Sequence, residues 1–351
     1  MKQFAVLLAG LDEALSWPLN QFEEPVQPHN EYAVNRTLKR NLPLFSPEDC
    51  YVLLSQENLN SIENKLMAEF PKNNFICEPV LRGTAAGIFY AALKLHKKFG
   101  NSVMAVLPTD HYIDNEPKYL SVMAEALKTA QESDKIVTIG IKPTFPAGNY
   151  GYLNFKKNFT YRAQHIFQVI EFIEKPGRSA AQHYLNNDEY VWNSGIYLFK
   201  TSVIIDAVKQ FMPLLYAQLM QGEDAIGTQE EERVIGGLYP QIRHQSIDYG
   251  VMERSDEVVL LLGDFGWSDI GPISSVLGES SKNTVLHNCR NVTVLGENKL
   301  LIAIGCSDLF IADTGEALLV CHKDGFGELN NLEEMIRGNG RGIPITPKET
   351  E

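Results

Sequence analysis

Cysteine is sparse in this chain and oddly spaced. Only five occur in 351 residues, and none of Cys50, Cys77, Cys289, Cys306 and Cys321 forms a C-x-x-C pair with another. That argues against a zinc site or a disulfide framework and leaves buried free thiols as the expectation. Long apolar runs are missing too. The run after Lys2 reaches five residues before small and acidic residues intervene, too short for a signal-peptide core or a membrane span, so the sequence excludes a membrane partner and reads as cytoplasmic. Positive charge is also in deficit: 31 Lys and Arg against 44 Asp and Glu give a formal net charge of -13. With no Lys/Arg run to make a local exception, a nucleic-acid backbone would be repelled, and nucleic acid is excluded as a partner. No low-complexity tract or long linker interrupts the sequence.

A further lack falls at the start of the chain. Phe4 to Leu8 is a continuous apolar run closed by Ala9-Gly10, as in a buried parallel strand that opens into a ligand crevice. A loop in that place cradles phosphates with backbone N–H groups, and it needs glycines and cations to do so. After Gly10 there are neither. Leu11 carries a Cβ where backbone must approach phosphate, and Asp12 and Glu13 set negative charge against an anion. An ordinary turn after a core strand fits the same residues.

Beyond this loop, helical and strand patterns alternate, the signature of an α/β fold with a parallel or mostly parallel sheet covered by helices. Thr84 is placed to cap a helix running to Phe99, with Gly100 as its stop. Val103 to Leu107 reads as a strand, Pro117 opens a second helix with Leu120, Met123, Ala124 and Leu127 on one face, and Lys135 to Ile141 returns as a strand. This crossover sets Asp110 at the carboxyl end of a strand, where open α/β sheets keep their ligands. The spacing further predicts a strand over Val169–Ile173, another over Ile196–Phe199 preceded by Trp192-Asn193-Ser194-Gly195, one helix from Ser202 to about Met220, and a strand over Val258–Leu262. From about Asn283 short β-rich segments take over, at 291–295, 300–304 and 309–313, followed by a short helical pattern at 332–337 and an end expected to be poorly ordered after Pro344. The expected domains are therefore 1–282 and a small β-rich 283–351.

Several residues are candidates for chemistry. Asp110 and Asp269 each follow a strand-like segment beside a tight turn, so one crevice could bring them together on Mg2+, which is held by one or two carboxylates plus phosphate oxygens. A helix-capping turn explains Pro108-Thr109-Asp110-His111 equally well. Lys175 suits a phosphate and Glu174 a sugar hydroxyl, although a surface ion pair has the same composition. Asn193 offers a donor and an acceptor, as a turn asparagine also does. His111 could be a general base, but support of its turn is the plainer role.

Taken in order, Leu8-Ala9-Gly10, Trp17-Pro18-Leu19, Glu78-Pro79 with Arg82-Gly83-Thr84-Ala85, Leu107 to His111, Tyr150-Gly151-Tyr152, Phe172 to Pro176, Trp192 to Gly195, Ser246 to Tyr249 and Gly266 to Gly271 resemble the mannose-1-phosphate guanylyltransferases of the wider sugar-phosphate nucleotidyltransferase family. The resemblance covers nearly the whole chain. It implies a Rossmann-like domain with a mixed, mostly parallel sheet, and a short β-helix or β-prism tail that in this family often serves dimerisation. It implies Mg2+ at Asp110 and Asp269, nucleotide contacts at Leu8, Ala9, Gly10, Arg82, Gly83 and Thr84, and sugar-phosphate contacts at Gly151, Glu174, Lys175 and Asn193. The family opens L-A-G-G-x-G-T-R-L-W-P-L, followed by P-K. Alignment on Trp17-Pro18-Leu19 sets Leu11 and Glu13 at two glycines, Leu15 at the arginine and Val26 at the lysine.

Those departures strip cations from the triphosphate side. Transfer proceeds by attack of the sugar-1-phosphate on the nucleotide α-phosphorus with loss of pyrophosphate, and it depends on positioning and charge neutralisation. Loss of one such group costs about 10² to 10³ in rate, so losing two and the glycine loop could exceed about 10⁴. The expectation is a weak or inactive paralogue that binds a sugar-1-phosphate or GDP-mannose, binds GTP weakly, and works as a homodimer or beside an active paralogue. The alternative is an active guanylyltransferase in which Arg36, Lys39 or Arg40 meets the triphosphate.

Overall fold

The structure is a computed structural model and describes residues 1–9, 33–64, 66–148, 150–161, 165–269, 283–296, 299–313, 315 and 317–322. The positions Gly10, Leu11, Glu13, Leu15 and Val26, the 332–337 pattern and the end after Pro344 lie outside the described residues. In chain order the elements begin β1 (Gln3–Leu8), α1 (Ala33–Asn41), β2 (Cys50–Ser55), α2 (Leu59–Glu63), β3 (Phe75–Glu78), α3 (Thr84–Phe99), β4 (Val103–Pro108), β5 (Tyr112–Ile113), α4 (Glu116–Glu132) and β6 (Ile136–Ile141). They continue with β7 (Tyr152–Thr160), β8 (Ile166–Ile173), α5 (Arg178–Leu185), β9 (Tyr190–Lys200), α6 (Thr201–Phe211), α7 (Pro213–Met220), α8 (Glu231–Leu238), α9 (Ile247–Gly250), β10 (Val258–Gly263) and β11 (Trp267–Ser268). The chain divides into two compact units, the first holding 34–109 and 113–267 with the amino-terminal strand, the second holding 110–112 and 268–351 with residues 11–33.

In the first unit a nine-stranded sheet runs β3-β2-β1-β4-β9-β6-β10-β8-β7. β1 is third in that order, parallel to its neighbours β2 and β4. Its side chains alternate between two cores: Phe4 and Val6 pack with α3, α6 and α7, while Ala5 and Leu7 pack with α1 and α4. Burial on both faces is why the strand reads as an unbroken apolar run. Seven of the nine strands run the same way; β9 and β8 run against them. β9 sits between β4 and β6, so the crossover through α4 joins two strands that are parallel but not adjacent.

Local chemistry moves some expected boundaries. Thr84 is the first residue of α3 rather than its cap; Gly83 occupies the cap position, and the Thr84 hydroxyl accepts from Ile247 N at 2.9 Å instead. Asn115 caps α4, accepting from Lys118 N, and Pro117 sits in the first turn, where a missing N–H costs nothing. The long helix over 202–220 is two, α6 and α7, bent by 117°. Pro213 causes the break, because it has no N–H to continue the ladder. No single helix among the described residues is long and apolar enough to cross a membrane. Residues Trp192 to Gly195 belong to β9 itself, where the register against β6 shifts between Thr138 and Gly140. All five cysteines are free, but only Cys50 is fully buried, and burial pushes its thiol up to about 12.

The second unit carries β12 (Thr284–His287), β13 (Thr293–Leu295), β14 (Leu301–Ile304), β15 (Leu309–Asp313) and β16 (Leu318–His322). β12 stacks parallel on β14 with Thr284 opposite Leu301, and β13 stacks parallel on β15 with Thr293 opposite Phe310. Both offsets are seventeen residues, so the chain climbs as a β-helix with one coil per seventeen residues. Asn288 and Gly305 repeat the same left-handed turn one coil apart, as do Asn291 and Asp308.

Candidate functional site

The first unit brings three of the expected sugar-phosphate residues together. Gly151 O accepts from Asn193 N at 2.8 Å, fixing the start of β7 against β9. A Cβ on Gly151 would fall 2.6 Å from Glu174 Oε2 and 3.4 Å from the Asn193 Cβ. The missing side chain is thus the floor of a cradle whose walls are Glu174 and Asn193. Lys175, the next residue, is exposed, holds φ at 49°, and donates its N–H to Tyr150 O at 3.2 Å. A lysine in the left-handed region is uncommon and costs about 1 kcal/mol or more, and such conformations concentrate where geometry serves a site. Behind the cradle, Tyr150, Trp192, Phe145 and Trp267 form an aromatic cluster with ring centroids 4.8 to 6.4 Å apart, which anchors the backbone that Lys175 binds.

The electrostatics of this cradle centre on carboxyls. Burial pushes the Glu174 carboxyl up to about 7; the nearby Asp248 raises it further, Lys175 opposes, and Glu253 adds to the rise. Near neutral pH Glu174 therefore stands between acid and base and can donate to or accept from a hydroxyl. Asn193 is tied at both ends of its amide. Its Oδ1 accepts from the Thr138 hydroxyl at 3.0 Å, and its Nδ2 donates to the Tyr197 hydroxyl at 2.7 Å. Tyr197 in turn donates to Asp248 Oδ1 at 2.5 Å. Sequence reasoning gives no role to Thr138, Tyr197 or Asp248. The available signal was a tyrosine four residues after Asn193 inside an otherwise apolar run.

The expected nucleotide side is described only in part. Ala9 donates its N–H to Leu53 O at 2.9 Å, just past the end of β1, and Leu8 accepts from the Thr109 hydroxyl at 3.0 Å. Arg82 donates Nη2 to Pro240 O at 2.8 Å, and its carbonyl accepts from Gln245 N. Together with the Thr84 bond to Ile247, this binds Arg82-Gly83-Thr84 to the segment that leads into α9 and Asp248. Of the cations considered as substitutes, Arg40 is buried, ion-paired with Glu116 at 3.4 Å and set against the Tyr119 ring. It acts as a core residue.

Asp110 and Asp269 flank the short ribbon of β5 and β11. Asp114 N donates to Gly266 O at 2.9 Å, so with Tyr112–Ile113 beside Trp267–Ser268 the ribbon runs antiparallel. Antiparallel pairing puts the residues before β5 and after β11, hence both aspartates, at the same end. The Asp110 side chain is 58% exposed, and its Oδ1 lies 3.9 Å from Nε2 of the buried His111. The donor set suits a hard divalent cation in kind. Among the described residues no group of three or more His, Cys, Asp or Glu could hold a metal, so two carboxylates would need phosphate oxygens to complete a shell.

The nucleotidyl transferase family matches residues 26–285, and the MannoseP isomerase/GMP-like β-helix domain matches residues 282–328. A mannose-1-phosphate guanylyltransferase of Salmonella montevideo is 32% identical, over 98% of this chain and 76% of the relative. The xanthan biosynthesis protein XanB of Xanthomonas campestris pv. campestris strain B100 is 29% identical over 96% of this chain and 73% of its own length. Among solved structures, one from Thermus thermophilus described as a mannose-1-phosphate geranyltransferase superposes with a TM-score of 0.77 at 25% identity, over 96% of this chain and all of that one.

Proposed function

The chain belongs to the nucleotidyl transferase family, and from that premise we propose that it is a mannose-1-phosphate guanylyltransferase-like protein that keeps a sugar-phosphate pocket and transfers guanylyl groups weakly or not at all. One contrast carries the reading. The cradle of Gly151, Glu174 and Asn193 beside Lys175 is assembled, while the positions that should meet the triphosphate are Leu11, Glu13, Leu15 and Val26. The span of the nucleotidyl transferase match, which begins at residue 26, is in keeping with an opening loop that has left the family pattern.

In this reading the ammonium of Lys175 meets the sugar phosphate, Asn193 and Glu174 hold hydroxyls of the ring, and Gly151 leaves room for the ring to approach. Arg82, Gly83 and Thr84 line the nucleotide side with Leu8, Ala9 and Gly10. Mg2+, held by Asp110 and Asp269, would neutralise phosphate charge. An active enzyme would draw on Arg36, Lys39 or Arg40, and the ion pair of Arg40 with Glu116 weighs against that use of Arg40. The ligands of this reading are a sugar-1-phosphate and GDP-mannose, its compartment is the cytoplasm, and the domains are 1–282 and 283–351. Its partner is a second copy or an active paralogue, supported by the apolar side chains of Val285, Ile302, Ile304, Leu318 and Val320 exposed on the second unit.

The test combines calorimetry with a pyrophosphate-release assay. GDP-mannose or mannose-1-phosphate should bind, and Lys175→Ala should weaken mannose-1-phosphate; GTP, mannose-1-phosphate and Mg2+ together should release pyrophosphate far more slowly than the ordinary enzyme range of about 1 to 10³ per second. Turnover inside that range would establish the active enzyme instead. Light scattering on the native chain and on Ile302→Glu reports the partner.

A further inference from the structure

The amide of Asn193 sits in a chain of hydrogen bonds whose direction is set at its far end. Thr138, Asn193, Tyr197 and Asp248 are joined in series. Each hydroxyl has a single proton to give. Tyr197 spends its proton on Asp248 Oδ1, so towards Asn193 it can only accept, and the amide must present Nδ2 to it and Oδ1 to Thr138. Thr138 has two acceptors within 3.0 Å, Asn193 Oδ1 and Ile196 O. Its hydroxyl can therefore serve the amide as donor, or turn its proton to Ile196 and serve the amide as acceptor. Both ends of the amide tolerate reversal, and only the ionised carboxylate of Asp248 breaks the symmetry.

We propose that Tyr197 and Asp248 are positioning residues that set which way the Asn193 amide faces, ionised Asp248 holding Nδ2 against Tyr197 and protonated Asp248 allowing the amide to turn over. On protonation the carboxyl O–H donates to the Tyr197 oxygen, the tyrosine proton swings to Asn193 Oδ1, and Nδ2 donates to Thr138, which gives its own proton to Ile196 O. No bond to carbon is made or broken; every proton in the chain keeps a partner. The sugar then meets a donor where it had met an acceptor. The inference rests on the reading of Asn193 as a sugar contact.

The surroundings make the switch accessible. Burial raises the Asp248 carboxyl above its ordinary value, while the Tyr197 bond, Lys175 and the Ser246 hydroxyl hold it down. Glu174 faces it from the segment after β8, Tyr249 lies on its own helix, and Glu253 accepts from Glu174 N at 3.2 Å. Tyr197 itself stays protonated throughout, since burial and Asp248 both raise it.

Two measurements on the full chain test the proposal. In the ligand-free protein, the side-chain amide signals of Asn193, assigned by their loss in Asn193→Ala, should move with pH in the native chain and stay still in Tyr197→Phe and Asp248→Asn. Motion of equal size in Tyr197→Phe would mean a field acting through space and would overturn the relay. Calorimetry with GDP-mannose, whose diphosphate diester does not titrate near neutral pH, should show affinity about three- to tenfold lower in Tyr197→Phe, with a flatter pH profile. Glu174 and Asp248 both remain in that variant, so only the connection is cut. If Asn193→Ala weakens GDP-mannose and Tyr197→Phe leaves both affinity and profile unchanged, the relay is wrong and the sugar pocket stands. If the native chain binds no GDP-mannose, the pocket reading falls, and the amide signals still decide the relay.

Discussion

Gly151 makes the sharpest claim of any single residue. An added methyl would meet the far end of the Glu174 side chain, which can swing away, so the fold should tolerate Gly151→Ala with a stability change within about 1 kcal/mol. The cradle should not. GDP-mannose affinity is expected to fall about tenfold by calorimetry, and an unchanged affinity would put the sugar elsewhere. Glu78 supplies a second test at this scale. It is buried, accepts from the Tyr239 hydroxyl at 2.8 Å, and burial pushes its carboxyl from 4.5 up to about 7. Between those values the folded chain holds a proton that the unfolded chain has lost, so stability falls as pH rises through the window and the full cost is present above it. Urea denaturation across the window should show a shallower decline in Glu78→Gln than in the native chain. The sequence gathered Gly151, Glu174, Lys175 and Asn193 into one pocket only through the family resemblance; the fold sets Gly151, Glu174 and Asn193 side by side because β7 pairs with both β8 and β9. Asp248 stood out only as part of the Ser246 to Tyr249 motif, with no role, and its link to Tyr197 was hidden because a hydrogen bond spanning 51 positions leaves no local pattern.

Turns decide whether the elements line up. Gly266 holds φ at 64°, and a Cβ there would come within 2.5 Å of the Asp114 Cβ, in the turn that carries β11 past β5. Gly266→Ala should cost more than about 1 kcal/mol in thermal or chemical denaturation, because both the backbone region and the contact reject a side chain. A neutral outcome would show that the ribbon adjusts freely and would weaken its claim to align Asp110 with Asp269. Strand β1 could be read from its unbroken apolar run, the end of helix α3 from Gly100, and helix α4 from the spacing of its apolar face. The α6–α7 bend was hidden because the apolar pattern continues through Pro213, and β9 was misjudged at its start because Trp192-Asn193-Ser194-Gly195 has the composition of a turn while its backbone is paired on both sides.

For the molecule as a whole, charge is the dominant consideration. The chain carries -13, and GTP brings roughly four more negative charges to a site that, in the proposed reading, has Leu11, Glu13, Leu15 and Val26 where compensating groups would stand. Leu11→Gly, Glu13→Gly, Leu15→Arg and Val26→Lys together restore two glycines and raise the formal charge by three, one unit each from the last three changes. Pyrophosphate release should rise by about 10⁴ if the rest of the site is sound. A restored loop with no gain would place the defect outside it. The α/β class and the change of grammar near Asn283 were visible in the alternation of patterns. The insertion of β9 between β4 and β6 was not, because pairing order in a sheet depends on contacts far apart in sequence.

The seventeen-residue rise of the carboxyl-terminal strands gives that part of the chain a quantised length. Cys289 and Cys306 occupy the same phase of successive coils, and so do Asn291 and Asp308, whose side chains bond across the step at 2.9 Å. An insertion there can preserve phase only in whole coils. Duplicating residues 289–305 should yield a folded protein one storey taller, with added β-structure by circular dichroism, whereas inserting eight or nine residues at the same place should throw every later strand onto the wrong face and unfold the unit.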